Sequence, residues 1–404
     1  MTGVGRSKDA AARAAPDATW IIRDIGHATA EDWRADLEGV DVIVNATGAL
    51  QDGARDNLRA IHEDAIAALI EAIGDKSIRF IQISAAGANT DAAQPFFATK
   101  GRGDAALMAS PLNYTILRPT LVMGRTAYGG TAMLRAAAAT PLMGFSVLGD
   151  TRIMTVALSD LTDAVVKAAK GETTPRTCAD LTAPEVMTFA EVTQKIRRWL
   201  GFAPWRLTLP LPNVAMRLIG KGADALGWLG WRSPLRSTTL EVLRDGLHAD
   251  PTQWEAAGGS PCKSLDATLR DMPAGVQDRW FARLFLALPL AIGTLSLFWL
   301  LSGLIGLFQA EAAQQVLLDR AVSPGLAAAF VYLGAVLDIT LGIAVLFRRH
   351  ARAACLGMIA LSLAYLAGGT LVTPDLWADP LGPFVKVLPA MVLAAITTAL
   401  LDDR

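Results

Sequence analysis

Hydrophobic and polar positions follow two rhythms along the chain. Up to Gly124, short apolar runs rich in β-branched residues alternate with a helical period. The runs ATWIIRDI (18–25), DVIVNATG (41–48), IRFIQISAAG (78–87) and NYTILRPTLVMG (113–124) each end near Gly, Asn or Asp, as strands closed by turn residues do. Between the second and third, Leu58, Ile61, Ala65, Leu69, Ala72 and Ile73 recur at helical spacing, and Gly74 stands at the expected helix end. Strands separated by helices predict a parallel sheet covered on both faces. In such a sheet ligands bind beyond the carboxyl ends of the strands. The residues placed there are Asp24 and Ile25, then Asn45, Ala46, Thr47 and Gly48, then Ser84 to Gly87, then Arg118, Pro119 and Thr120. Taken singly, such residues also serve as ordinary turn formers.

The second rhythm is nearly unbroken hydrophobicity. Leu284 to Phe308 carry no charge, a length that spans the ~30 Å core of a bilayer. Similar stretches run near Gly325 to Phe347, Ala353 to Val372 and Phe384 to Leu401, so four membrane spans are expected. Arg279 and Arg283 precede the first span, and Arg348, Arg349, His350 and Arg352 separate the second from the third. The other two loops hold Glu311, Asp319, Asp375 and Asp379 against Arg320 alone. Basic loops stay on the cytoplasmic side, which predicts an inner-membrane protein with its N-terminal part and C-terminus facing the cytoplasm. Asp338 lies within the second span, where a carboxylate is either a functional acid or a neutral acid bonded inside the bundle. Lys386 is the nearest base by type, but its position in the sequence sets it near the outer surface, at a different depth.

Between these regions, TFAEVTQKIRRWLG predicts a helix opened by Thr188 with Glu191 three positions on, the reciprocal capping arrangement. Residues 213–236 mix Trp228 and Trp231 with Arg217, Lys221, Arg232 and Arg236. That composition suits a lipid surface, but four glycines weaken a long helix and favour packing on the preceding domain. Net charge is −1 and there is no basic stripe interleaved with aromatics, so a nucleic-acid partner is not expected. Cys178, Cys262 and Cys355 lack metal-ligand spacing, so neither a disulfide framework nor a metal site is expected.

GVGRS, IIRDI, VIVNATGALQDG, IHEDA, IQISAAGA, TKGRGDAAL and YTILRPTLVMG, in that order, resemble the atypical short-chain dehydrogenase/reductases related to the nucleotide-binding accessory subunit of respiratory complex I. Met154 to Asp163 resemble the family's late strand and the Asp-containing turn after it. The C-terminal part is similar to the DoxX-like membrane domain. The resemblance implies an α/β, Rossmann-like doubly wound parallel sheet with a small C-terminal lobe over 1–270, then an all-α four-helix transmembrane domain over 271–404. The family's opening strand, glycine-rich turn and first helix have no counterpart here: MTGVGRS resembles the end of the second strand and its loop. The sheet is therefore expected to be N-terminally truncated, with two unpaired edges, and to hold a nucleotide incompletely; Met1 is expected to be an internal or misassigned start.

The resemblance further implies a nicotinamide cofactor held by Arg6, Asp24, Ile25, Asn45, Ala46, Thr47, Gly48, Ser84, Lys100, Pro119 and Thr120. NADP(H) is favoured by Arg6, which can meet the adenosine phosphate, and NAD(H) is the alternative. Ser84 and Lys100 match the family's catalytic Ser and Lys, and Phe96 stands where the family has its catalytic Tyr. A phenol can donate a proton and a benzene ring cannot. Tyr128 is the nearest phenol in sequence, and Lys100 could equally be an ordinary exposed lysine. Two functions stay open: an oxidoreductase acting on a lipid-like or quinone-like substrate near the bilayer, or a non-catalytic nucleotide-binding assembly protein of a membrane complex.

Overall fold

The computed structural model describes residues 1–53, 56–146, 151–231, 233, 235–244, 249–380 and 382–402, so Arg232 lies outside the described residues. The chain divides into two compact units, Met1–Ala223 with Pro234–Arg279, and Asp224–Ser233 with Trp280–Arg404.

In the first unit, β1 (Thr2–Gly5) and β2 (Thr19–Ile22) form a parallel pair joined through α1 (Lys8–Ala14). A second parallel sheet holds β3 (Val42–Asn45), β4 (Arg79–Ile83) and β5 (Asn113–Pro119), with the strand Thr177–Leu181 on the far side of β5. Among the described residues β1 pairs only with β2 and β3 only with β4, and Val4 and Val44 on them are exposed.

Alternate side chains of β4 and β5 enter two different cores, as a period of two requires. Phe80 and Ile116 pack with Ile66, Leu69 and Ile73 of α3 (Ala65–Ile73) and with Leu107. Ile81 and Leu117 pack with Leu181 and with Leu161, Ala164 and Ala168 of the helix Leu158–Lys170. The sheet is covered on both faces. The helices stop where the chain says they should: Gly74 ends α3 at φ 52°, and Thr188 and Glu191 cap the helix Phe189–Trp199 reciprocally.

Two expectations change. The run 113–124 is not one strand, because Pro119 has no N–H to continue the ladder. Thr120 N donates to Leu181 O at 3.1 Å, and Leu121–Met123 pairs instead with Thr155–Ala157. The acids after Met154 sit in no turn: Thr155–Ala157 leads straight into the helix Leu158–Lys170, with Asp160 in its first turn, where the helix dipole favours a negative charge.

In the second unit three helices are long and apolar enough to cross a membrane: Ala287–Phe308, Pro324–Ala344 and Arg348–Val372. The expected fourth is shorter. Residues 384–386 belong to a turn, and the helix Val387–Asp402 has 16 residues, about 24 Å at 1.5 Å per residue, short of the ~30 Å core. Small residues let the first two spans touch. A Cβ on Gly303 would lie 2.6 Å from Ala335 O, and Ser296 Oγ donates to Gly342 O at 2.7 Å, the close backbone approach that stabilises helix pairs in lipid.

The helix Asn213–Trp228 forms over 16 residues despite its glycines and buries only Gly220 and Ala223. It meets its neighbours through these small residues, Gly220 lying against Leu240 and Ser237, while Val214, Leu218 and Trp228 are exposed.

The approach of α4 (Pro95–Ala109) to its neighbours depends on having no side chain at two positions. A Cβ on Gly101 would overlap the Asn89 backbone, and one on Gly103 would overlap the His62 carbonyl oxygen. Gly103→Ala should destabilise the protein by about 1–3 kcal/mol, the usual cost of overpacking, although alanine is the better helix former. Thermal unfolding of the detergent-solubilised protein tests this, with Arg102→Ala on the exposed face as reference; equal midpoints for the two would contradict the close packing.

Candidate functional site

Lys100 and Asp104 stand one helical turn apart on α4, on the face turned toward the carboxyl ends of β3 and β4. Both are buried, and Asp104 is fully so. Lys100 Nζ donates to Ile83 O at 2.9 Å and to Thr47 O at 3.3 Å. Burial depresses this lysine to about 8, with the Asp104 charge acting in the opposite sense. The alternative of an ordinary exposed lysine is thereby corrected. An ammonium carries three N–H donors, and the third on Lys100 has no partner among the described residues.

Ser84, just past β4, donates its hydroxyl to Asp104 Oδ2 at 2.7 Å, and Arg118 on β5 reaches the same oxygen with Nε and Nη2, each at 2.9 Å. Burial pushes the Asp104 carboxyl up, while the Ser84 hydrogen bond, Arg118 and Lys100 pull it back. With three donors on one oxygen, the arrangement serves the carboxylate form. Its other oxygen, Oδ1, has no hydrogen-bond partner among the described residues.

His62 completes the cluster from the π-helical turn Ala60–Asp64 that precedes α3. Ala49 N donates to His62 Nε2 at 3.2 Å, so Nε2 accepts and the hydrogen sits on Nδ1, 2.8 Å from Thr99 Oγ1. The Thr99 hydroxyl passes its own proton to Pro95 O at 2.9 Å. Burial first, and Lys100 second, lower His62 to about 3, so it is neutral at any physiological pH. The Phe96 ring meets the imidazole edge-on, with ring centres 5.8 Å apart.

The remaining expected residues divide between framework and open backbone. Asn45 is buried and pairs through Nδ2 with Gln82 Oε1 at 2.9 Å, while its Oδ1 accepts from Thr47 N and Thr47 Oγ1 at 3.2 and 2.5 Å. It shapes the loop that carries Ala46 and Gly48, both exposed. A Cβ on Gly48 would sit 3.4 Å from Lys100 Nζ, so glycine keeps the approach to the ammonium open. Pro119 O accepts from Ala86 N at 3.0 Å, and Thr120 Oγ1 donates to Thr182 Oγ1 at 3.1 Å; both are buried framework. Asp24 closes its own turn by accepting from Gly26 N at 3.1 Å, and Ile25 packs on the core. Arg6 pairs with Asp56 at 2.9 Å.

Tyr128 does not supply the missing phenol. It is 77% exposed and is bonded to Thr131 of the helix it begins. Tyr114 is buried, with Arg176 over its ring at 5.0 Å. In the second unit, Asp338 is buried and accepts from Ser302 Oγ at 2.6 Å and Tyr365 OH at 2.8 Å, while Lys386 is exposed ahead of the last helix. The acid bonded inside the bundle is what the geometry gives.

The cluster thus joins Ser84, Lys100, Thr47, Gly48 and the strand-end Arg118 with two residues that had been given no role from the sequence: Asp104 and His62. Asp104 had a sequence signal, since KGRGD puts an acid four positions after the lysine. The groups present fit the ribose and nicotinamide end of a dinucleotide: one free ammonium N–H for a hydroxyl, an open glycine loop beside it, and a Ser at the strand end.

Residues 1–148 match the NAD(P)H-binding family and residues 296–395 match the DoxX-like family. A ceramide reductase of Caulobacter vibrioides is 24% identical over 249 residues, covering 60% of this chain and 75% of the relative. The Bordetella bronchiseptica enzyme WbmG, solved in complex with NAD, is 14% identical with a TM-score of 0.51, over 70% of this chain and 86% of that one. A UDP-glucose 4-epimerase of Thermotoga maritima, solved with UDP-glucose, is 15% identical with a TM-score of 0.49, over 70% of this chain and 91% of that one. The likeness to WbmG shows a Rossmann-like fold. The chain is an NAD(P)-binding domain fused to a C-terminal DoxX-like membrane domain.

Proposed function

We propose that the protein is a membrane-anchored NAD(P)H-dependent oxidoreductase that reduces the carbonyl of a lipid-like or quinone-like substrate dissolved in the bilayer. The observation that carries this reading is the buried Lys100, braced on Ile83 O and Thr47 O with one N–H to spare. The Caulobacter relative is named a ceramide reductase, which supports a ceramide-type lipid as the substrate class. Residues 1–270 serve as the nucleotide-binding part and 271–404 as the membrane part. The basic residues Arg279, Arg283, Arg348, Arg349 and Arg352 favour an inner membrane with the nucleotide-binding part in the cytoplasm. Arg6 favours NADP(H), its ion pair with Asp56 opening to admit the extra phosphate.

A nicotinamide held there would supply the hydride for the carbonyl carbon. The spare N–H of Lys100 would go to a ribose hydroxyl, and the proton for the carbonyl oxygen would come from that hydroxyl, which Lys100, with its pKa of about 8, reprotonates. Ser84 donates its O–H to Asp104, so it offers only lone pairs to a water or substrate hydroxyl and orients it. Arg118 and Asp104 hold Ser84 in place. One observation favours the second reading, a non-catalytic nucleotide-binding assembly protein: Phe96 stands at the phenol position against a neutral His62, and neither Tyr114 nor Tyr128 hydrogen-bonds to Ser84 or Lys100 among the described residues.

The full chain reconstituted in lipid nanodiscs separates the two readings by NADPH binding and by NADPH oxidation with quinones and ceramide-type ketones; binding without turnover across that panel favours the second. Lys100→Met should weaken NADPH binding about 10- to 100-fold, the worth of a charge-assisted hydrogen bond, as measured by cofactor fluorescence titration. The wild-type kcat/KM should fall as pH rises through about 8, where Lys100 loses its proton. In Lys100→Arg, whose guanidinium does not titrate there, that alkaline limb should vanish from the pH profile. Phe96→Tyr places a phenol at the family position and should raise the reduction rate about tenfold or more; an unchanged rate would argue that Lys100, not a lost Tyr relay, sets the chemistry.

A further inference from the structure

The helix Asn213–Trp228 is anchored at one end and bare along one side. Its end is a closed motif. Gly230 N donates to Gly227 O at 3.0 Å and Trp231 N to Leu226 O at 3.1 Å, with Gly230 at φ 87°, the left-handed glycine stop that turns a chain back on its helix. That turn fixes the following residues to the second unit. Trp231 Nε1 donates to Leu346 O at 2.6 Å, Arg348 N donates to Leu229 O at 3.0 Å, and the Arg348 guanidinium lies over the Trp231 ring at 5.7 Å.

Leu346 and Arg348 belong to the connection between the spans Pro324–Ala344 and Arg348–Val372. This connection and its continuation carry Arg348, Arg349, His350 and Arg352. A loop joining two membrane-crossing helices lies at the water interface of the bilayer, so the end of the helix Asn213–Trp228 is held there too.

From that anchor the helix presents an apolar stripe that is left exposed among the described residues. Val214, Leu218 and Ala225 lie along one side at helical spacing; Val214 is 67% exposed, Leu218 66% and Trp228, near the anchored end, 92%. Arg217 lies at the edge of the stripe and Lys221 within it, between Leu218 and Ala225, and both are exposed, a lysine there reaching the headgroups by extending its stem along the apolar face. The helix's one acid, Asp224, is half-buried. Just ahead of the first span, on the same face of the membrane, Trp280 is also exposed between Arg279 and Arg283. An apolar stripe with Trp at the interface and Lys or Arg beside it is the composition of a helix lying in the plane of a membrane surface.

We propose that the helix Asn213–Trp228 lies in the headgroup layer of the bilayer, with Val214, Leu218, Ala225 and Trp228 in the acyl boundary and Arg217 and Lys221 on the phosphates of anionic lipids. The occupant of the bare face is the lipid leaflet that the chain's own spans enter. The assignment holds whether or not the nucleotide-binding unit turns over a substrate.

The test uses the full chain in nanodiscs of phosphatidylcholine mixed with phosphatidylglycerol, and of phosphatidylcholine alone. Cys262 and Cys355 are buried and stay; Cys178 is replaced by alanine. An environment-sensitive fluorophore on Leu218→Cys should emit to the blue and be quenched by lipids brominated on their chains. The same fluorophore on Glu38→Cys, exposed in the first unit, should do neither. Arg217→Gln and Lys221→Gln should each lower the inserted-to-exposed ratio about fivefold in the anionic discs, the worth of one basic side chain near a charged surface, and leave it unchanged in phosphatidylcholine. Water-like emission at position 218 in both lipids would overturn the proposal. So would blue emission that brominated lipid does not quench, since protein would then cover the stripe. An equal ratio with and without the two charges would remove the phosphate contacts.

Discussion

The close approach of α4 to the sheet is the constraint on which the site rests. Gly101 and Gly103 let the helix backbone meet Asn89 and the His62 carbonyl directly, and that contact takes Lys100 and Asp104 out of water. Moving two opposite charges into a poorly polarisable interior costs several kcal/mol for each unless fixed groups replace the lost hydration. Here they do: two backbone carbonyls for Lys100, and Ser84 with Arg118 for Asp104. Such compensation is incomplete, which is why Lys100 falls to about 8 and not to an inert extreme. A lysine poised near neutral pH is thus a consequence of two missing side chains on the neighbouring turn.

The membrane unit uses the same device with a different purpose. Gly303 and Gly342 bring two spans into backbone contact, and the spans then share polar groups that lipid could not satisfy. Ser296 closes on Gly342 O, and Asp338 collects Ser302 from the facing span and Tyr365 from a third helix. In a bilayer an unsatisfied polar group costs more than in water. Asp338 is therefore a point where three helices are tied together, whatever else it does.

The strand ends and helix stops were legible because they are local. Gly74, and Thr188 with Glu191, act through their own turn, and the four apolar runs mark the strands to within a few residues. Ser84 and Lys100 could be placed because their order along the chain is the order of the strands they serve. What stayed hidden depends on contacts far apart in sequence. Asp104 gains its meaning from Arg118, and His62 from Ala49 and Thr99, through a π-helical turn that no periodicity announces. The run 384–401 is apolar throughout, yet a turn consumes its start and leaves a helix too short to count as a span. The helix Asn213–Trp228 was misjudged for a simpler reason: its glycines do not stop it from forming over 16 residues, and Gly220 and Ala223 are the residues it buries.

His62 shows how the loss of a phenol reaches beyond the reacting groups. The Ala49 N–H ends on His62 Nε2, so the loop after β3, including Gly48 beside the ammonium, is held by an unprotonated nitrogen. Were His62 to take a second proton, that acceptor would become a donor facing another donor, and a positive charge would face Lys100. Burial and the Lys100 charge both prevent this. Phe96 packs against this imidazole, with ring centres 5.8 Å apart, so the position where the family has its phenol borders the histidine that holds the glycine loop against the lysine.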